Sequence, residues 1–176
     1  AALQLAPEEL KCDRDVVMAA VTQSGAALQF GSAELRSDKG IVMRAVSQKG
    51  WSLQFASEEL RRDREVVAQA VKQDCLALRY AYEDLKRSKE FVMEVVKVDG
   101  TALEFASEEL RHDREVVMEA VKQNGMAIRF ASEDLRHDRG INDASRQSDW
   151  YASRAYTGVC HTSGWHHAAD TRTCTV

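Results

Sequence analysis

The apolar positions of this chain fall on a frame that returns every 25 residues. The stretch ALQFGSAELRSDKGIVMRAVSQKGW from Ala27 to Trp51 comes back, position for position, as SLQFASEELRRDREVVAQAVKQDCL from Ser52 to Leu76. The frame runs without insertion or deletion from the first residue to about Ile141. A strict period of this length marks a stacked repeat rather than a closed globule. Within a unit, the segment from Arg64 to Gln73 carries Val66, Val67, Ala70 and Val71 at i, i+1, i+4 and i+5. That spacing puts them on one side of a helix of about three turns and does not fit the period of two of a strand.

The polar positions mark where the helices start and stop. One slot holds Asp13, Asp38, Asp63, Ser88, Asp113 and Asp138. Asp and Ser share a short side-chain oxygen that accepts from a free amide, so these residues are predicted N-caps. Glu65, Glu90 and Glu115 follow in the first turn and Lys72, Lys97 and Lys122 lie in the last, each sign complementing the helix dipole. Gly25, Gly50, Gly100 and Gly125 end these helices, where a left-handed backbone angle is expected. Cys75 in the same slot marks that corner as a loose preference.

A second, shorter helix is predicted over Ala77 to Ala81 and its equivalents, with Leu53 and Phe55, Leu103 and Phe105, and Ile128 and Phe130 as its large apolar side chains. Ala56, Ala106 and Ala131 leave room for close helix approach. Pro7 takes the slot of Ser57 in the first unit, so a break is predicted there, followed by a single helical turn. Leu10, Leu35, Leu60, Leu85, Leu110 and Leu135 close that turn against the core.

One such unit cannot bury both of its apolar faces, whereas stacked units can. The predicted fold is therefore all-α, an α-solenoid of 25-residue two-helix repeats over 1–141, in about five and a half units, with 142–176 a divergent, poorly structured tail. Asn142, Asp143 and Ser145 stand where Val42, Met43 and Ala45 belong, and the remainder is rich in Ser, Thr, His and Gly. A shifted reading frame would leave the same mark. Ala1 to Gln4 fall in the slots of Ala26 to Gln29, so the first residue lies inside a unit and the chain reads as a piece of a longer array.

The phrase ASEELRRDREVV at Ala56 to Val67, its near copy ASEELRHDREVVMEAVKQNG at Ala106 to Gly125, and the recurring ALxF element resemble the repeats catalogued as domain of unknown function 4116. The resemblance covers roughly the first 140 residues. It implies a helical repeat protein, often an array of many units, with no established biochemical activity and no catalytic residues to carry over. Ala33 in place of the first Glu, Tyr82 in place of Ser and Val98 in place of Gln are local departures from the pattern.

Composition narrows the functional classes. A hydrophobic content of 44% without a long apolar run describes a soluble chain with no membrane span. The net charge of -4 belongs to the repeats, because Asp143, Asp149 and Asp170 balance Arg146, Arg154 and Arg172 in the tail. Arg61, Arg62, Arg64, Lys86, Arg87 and Lys89 form a basic patch, but Glu58, Glu59, Glu83 and Asp84 are interleaved with it. Such mixed charge argues against nucleic acid as a partner. Cys12, Cys75, Cys160 and Cys174 occupy unrelated places in the frame, which favours a reducing, intracellular compartment over a disulfide framework.

No catalytic, cofactor-binding or metal-ligating residue is predicted. The acid pairs Glu58-Glu59 and Glu108-Glu109 are adjacent on a helix and do not face each other. Cys160, His161, His166, His167 and Cys174 have the chemistry of soft metal ligands but lack the tight ligand pairs of zinc sites. Gln23, Gln48, Gln73 and Gln123 lie near the apolar stripe and are expected to satisfy carbonyls between units.

With the fixed slots assigned to caps, corners and core, function is expected in slots that vary. These are Ala26, Trp51, Leu76, Thr101 and Met126 after the corner; Ala19, Arg44, Gln69, Glu94 and Glu119 on the long helix; and Cys12, Ser37, Arg62, Arg87, His112 and His137 before the cap. Trp51, Tyr80, Tyr82, Arg62 and Arg87 are the partner-binding candidates, since aromatic residues and Arg contribute most at interfaces. The expected function is a non-enzymatic helical scaffold for an unidentified protein partner. An accessory repeat region of a longer enzyme is the alternative, and a nucleic-acid-binding repeat is less favoured.

Overall fold

The computed structural model describes residues 2–157, and every regular element among them is helical. Long α-helices of 10 residues span Arg14–Gln23, Lys39–Gln48, Arg64–Gln73, Lys89–Val98 and Arg114–Gln123. The predicted caps are in place. The carboxylates of Asp13, Asp63 and Asp113 each accept from two first-turn amides, and Asp38 and Asp138 accept from Ile41 and Ile141. Ser88 accepts from Phe91 at 3.4 Å, so the exception in the slot keeps the function of the others. Val66, Val67, Ala70 and Val71 are all buried, as the wheel requires.

After each long helix the chain turns into a six-residue helix, at Gly25–Phe30, Gly50–Phe55, Cys75–Tyr80, Gly100–Phe105 and Gly125–Phe130. These are 3-10 helices, and the second, shorter helix predicted over Ala77 to Ala81 is thus a 3-10 helix that starts two residues earlier, at Cys75. With three residues per turn, side chains eclipse at i and i+3 and the helix has three rows. Leu53 and Ser52 point into the core, Phe55 is half-buried at its edge, and the row of Trp51 and Gln54 faces outward.

The glycine slot does not supply a left-handed angle. The turn is made by the residue before it, with extended φ of -154° at Ser24, -148° at Lys49 and -146° at Asp99. Glycine is required instead by close approach. A Cβ on Gly25 would lie 2.5 Å from the Ala45 carbonyl oxygen of the next unit, and Cβ atoms on Gly50 and Gly100 would be closer still to the carbonyls of Ala70 and Ala120. Cys75 has Val95, not Ala, at the corresponding position. The corner is therefore free in its backbone angles and tight in its packing.

The remaining element of each unit is one short helix, at Glu8–Lys11, Glu58–Arg62, Glu83–Arg87, Glu108–Arg111 and Glu133–Arg136. In the second unit, where Ala33 removes a first-turn acid, only a 3-10 turn at Leu35–Ser37 remains. The units stack through a continuous core whose two clusters meet at the helix Lys89–Val98: Phe91 and Val95 join the one toward the N-terminus, Val92 and Val96 the other. Polar ties bridge each junction on the outside. Arg14 pairs with Asp38 at 3.1 Å, Lys39 with Asp63 at 2.8 Å, Lys89 with Asp113 at 2.8 Å and Arg114 with Asp138 at 3.4 Å. At these four junctions the basic residue that opens a long helix reaches the cap of the next, Lys39 and Lys89 also pairing with Glu65 and Glu115 at 2.7 Å, while Arg64, facing Ser88, pairs with Glu94 at 2.6 Å.

The last long helix crosses the expected boundary at Ile141 and runs from Arg139 to Thr157. Asp138 caps it, Ile141 is fully buried and Ser145 takes the Ala slot, which is enough to continue the stack through residues expected to be irregular. The rest of the expected tail, with Cys160, His161, His166, His167 and Cys174, lies outside the described residues. Gln23, Gln48, Gln73 and Gln123 are exposed rather than lodged near the stripe, and of these Gln123 donates to the Val98 carbonyl at 3.3 Å. Among the described residues no helix is long and apolar enough to cross a membrane.

Candidate functional site

The short helices line up along one side of the array because each is tied to the one before it by backbone. The amides of Ser32, Ser57, Tyr82, Ser107 and Ser132 donate to the carbonyls of Lys11, Arg36, Arg61, Lys86 and Arg111 at 3.0 to 3.1 Å. This explains the tolerance of the Ser slot. The shared tie uses the backbone N–H, so a Tyr side chain at position 82 does not disturb it. Pro7, which has no N–H to give, stands at the slot that lacks a preceding short helix among the described residues.

Between successive short helices run shallow furrows. One of about 500 Å³ is lined by Glu83, Arg87, Ser107, Glu108, Glu109 and His112, and the next, of about 300 Å³, includes Arg111, Phe130, Ser132 and Arg136. A smaller one of about 190 Å³ contains Arg36, Phe55 and Ser57. In the last two furrows the Arg Nε and the Ser Oγ are shut off from solvent without a hydrogen-bond partner, Arg36 with Ser57 and Arg111 with Ser132. Each short helix opens acidic and closes basic, so an acidic row and a basic row run in parallel along this face.

The five candidate residues divide between this face and the 3-10 helices. The Arg62 guanidinium stacks 3.7 Å from the centroid of the Tyr82 ring and holds Glu58 at 2.9 Å, closing over the junction between the third and fourth short helices. Arg87 lies one furrow further on. Tyr80 ends its 3-10 helix packed against the core, with the Arg79 guanidinium 5.5 Å from its ring. Trp51 stands apart, half-buried, edge-to-face with Phe55 at 5.9 Å and with Lys49 Nζ 5.7 Å from its ring. The structure thus brings Arg62 and Tyr82 together and leaves Trp51 on a different row.

Two further features bear on chemistry. Cys75, half-buried, contacts Thr101 Oγ1 at 3.7 Å, and burial, reinforced by the Asp99 carboxylate, pushes its thiol up to about 11. A thiol held protonated in this way is a poor nucleophile. Midway along the long helices, Met18, Met43, Met93 and Met118 share one half-buried slot, and a depression of about 480 Å³ is lined by Met93, Arg114, Met118, Glu119 and Lys122. Sequence reasoning passed over this row, although its signal was available: four of the five methionines recur in one slot of the frame, where Ala68 is the exception.

No curated protein and no solved structure matches the chain significantly. The family model for the domain of unknown function DUF4116 matches three times, over residues 1–36, 38–86 and 88–136. Its second and third copies each take in two 25-residue steps. The chain belongs to this family of helical tandem repeats of unknown function.

Proposed function

We propose that the array is a non-enzymatic scaffold that engages another protein through the variable positions of its outer rows, with Arg62, Tyr82 and Arg87 on the furrowed face and Trp51 and Tyr80 on the 3-10 helices. The observation that carries this reading is the Arg62–Tyr82 stack, 3.7 Å from guanidinium to ring centroid. Arg62 occupies a slot the repeat does not fix and Tyr82 departs from the Ser of its slot, neither is needed for the backbone tie at that junction, and together they present a preformed cation–aromatic surface of the kind that dominates interfaces. The neighbouring units offer Arg87 with Ser107 and His112 with Ser132 at the same two slots, so the face differs from unit to unit while its frame stays constant.

The acidic row beside the basic one supports a protein partner over a polyanion, since carboxylates flank the basic residues of every short helix at Glu58, Glu83, Glu108 and Glu133 and oppose phosphate there. The test is affinity capture with the wild-type chain and with the W51A and Y82A variants, each first verified to melt like wild type. A hot-spot residue truncated in this way costs about 2 kcal/mol or more, roughly 30-fold in affinity, so at least one variant is expected to lose the captured partner. Retention of every partner by both would sink the reading.

A further inference from the structure

The residues after Ile141 look random against the repeat, yet they follow a rule when sorted by the direction in which each slot faces. In the first unit Val17 and Val21 are fully buried while Val16 and Ala20 are only half-buried, whereas the equivalents of Val16 and Ala20 in the next four units are buried. The slots of Val16 and Ala20 therefore face the preceding unit, and those of Val17 and Val21 face forward, toward the unit's own 3-10 helix and the next long helix. The approach of Gly25 to the Ala45 carbonyl fixes the same direction. Both forward slots are Val in every one of the first five units, at Val17, Val42, Val67, Val92 and Val117 and at Val21, Val46, Val71, Val96 and Val121.

In the last helix the backward slots are kept and the forward ones are lost. Ile141 is fully buried, and Ser145 is 8% exposed, donating its hydroxyl to the Gly125 carbonyl at 3.0 Å, a tie that Ala could not make. Ser148 donates to the Lys122 carbonyl at 3.3 Å, and Asn142 Nδ2 reaches back to the carbonyls of Arg136 and Asp138 at 2.6 and 3.1 Å. The forward slots hold Asn142 and Arg146, and Asp143 replaces the half-buried Met of the adjoining row. The helix also continues through positions 149 and 150, where every earlier unit turns into its 3-10 helix.

We propose that the helix Arg139–Thr157 is the terminating cap of the array, docked through the backward slots Ile141 and Ser145 and made polar at the forward slots Asn142 and Arg146, which refuse a further repeat. A terminal repeat with a polar outer face is what a stacked array needs to keep its last core layer dry and its end from pairing. The departure from the frame at Asn142 is then selective: the residues that bind backward remain compatible with the stack, and those that would receive the next unit do not.

Two measurements on the full chain decide this. In a background with the four native cysteines changed to Ser, the S145C thiol is expected to react with a maleimide about 100-fold more slowly than that of R146C, as protection by a docked helix requires. Equal rates, or a protected R146C, would overturn the proposal. The triple variant N142V/D143M/R146V, which restores the forward slots, is expected to self-associate with rising concentration in sedimentation, because the apolar forward face it regains matches the exposed Leu10 and half-buried Val16 at the other end of a second copy. Adding L10E should abolish the association. A triple variant that stays helical at the wild-type oligomeric state would show that these polar slots are not what closes the end.

Discussion

At the scale of single residues, the glycine slot separates what a sequence can say from what only packing decides. Gly25, Gly50, Gly100 and Gly125 announced a corner, and the natural inference was a left-handed backbone. The actual constraint is a carbonyl 20 positions further along the chain, in the next unit, which no local pattern reveals. The Asp slot was legible because its partner amides are two and three residues away. The same contrast governs the candidate site: comparison of units marked Arg62 as variable and Tyr82 as a departure from Ser, but their stacking depends on an offset of 20 residues across a junction. A test at this scale is Gly50→Ala. The new Cβ meets the Ala70 carbonyl and the backbone amide of Asp74, neither of which is the movable tip of a side chain. Overpacking of this kind costs about 1–3 kcal/mol, to be read as a drop in urea midpoint at unchanged slope. A midpoint equal to wild type would mean that the junction opens freely.

Among elements, the long helices were legible in full and the 3-10 helices only in part. A stripe of Val at i, i+1, i+4, i+5 over 10 residues has one reading, whereas ALxF offers two apolar residues two apart, too short a run to choose between periods. The helices are also where pH acts. Asp63 and Asp113 are held below the usual carboxylate range chiefly by the ammonium groups of Lys39 and Lys89, and Asp38 and Asp138 chiefly by the Ile41 and Ile141 amides. A carboxylate depressed in the folded state stabilises above its unfolded value of about 3.9, and that contribution is lost as pH falls through the folded value below it. Lys39 and Lys89 are raised by the same partners, so their contribution holds below about 10.4 and fades as pH rises through their folded values. The urea midpoint should therefore be level from about pH 5 to 9 and fall on both sides. Ser caps do not titrate, so the D38S/D63S/D113S variant should show a shallower acid limb while keeping its helices. An acid limb as steep as that of wild type would remove the caps as its cause.

For the whole molecule, equal spacing does not mean equal junctions. Stability in a stacked array is close to a sum of unit terms and nearest-neighbour terms, so a single altered interface sets where the array opens. The junction between the third and fourth units departs from the others in two ties at once. Ser88 replaces the cap carboxylate, and Arg64 turns instead to Glu94 at 2.6 Å and lies 5.6 Å from the Phe91 ring. Cys75 replaces the glycine and Val95 the alanine whose carbonyl approaches it at other junctions. The backbone tie from Tyr82 to Arg61 survives at 3.1 Å, with Arg62 stacked over it, so the junction is held mainly on its furrowed side. Amides of the 3-10 helix Cys75–Tyr80 and of the first turn after Ser88 should accordingly exchange faster than their equivalents after Gly50 and Asp63. Because opening at one interface exposes less surface than global unfolding, this exchange should vary little with low denaturant. The S88D change restores a carboxylate where Arg64 can reach it, and an exposed pair on a cap contributes about 0.5 kcal/mol. That is enough to slow exchange at this junction about twofold while leaving the junction between the first and second units untouched. Slowing spread evenly over every unit, or none at the third and fourth, would count against a weak seam and in favour of an array that opens as one body.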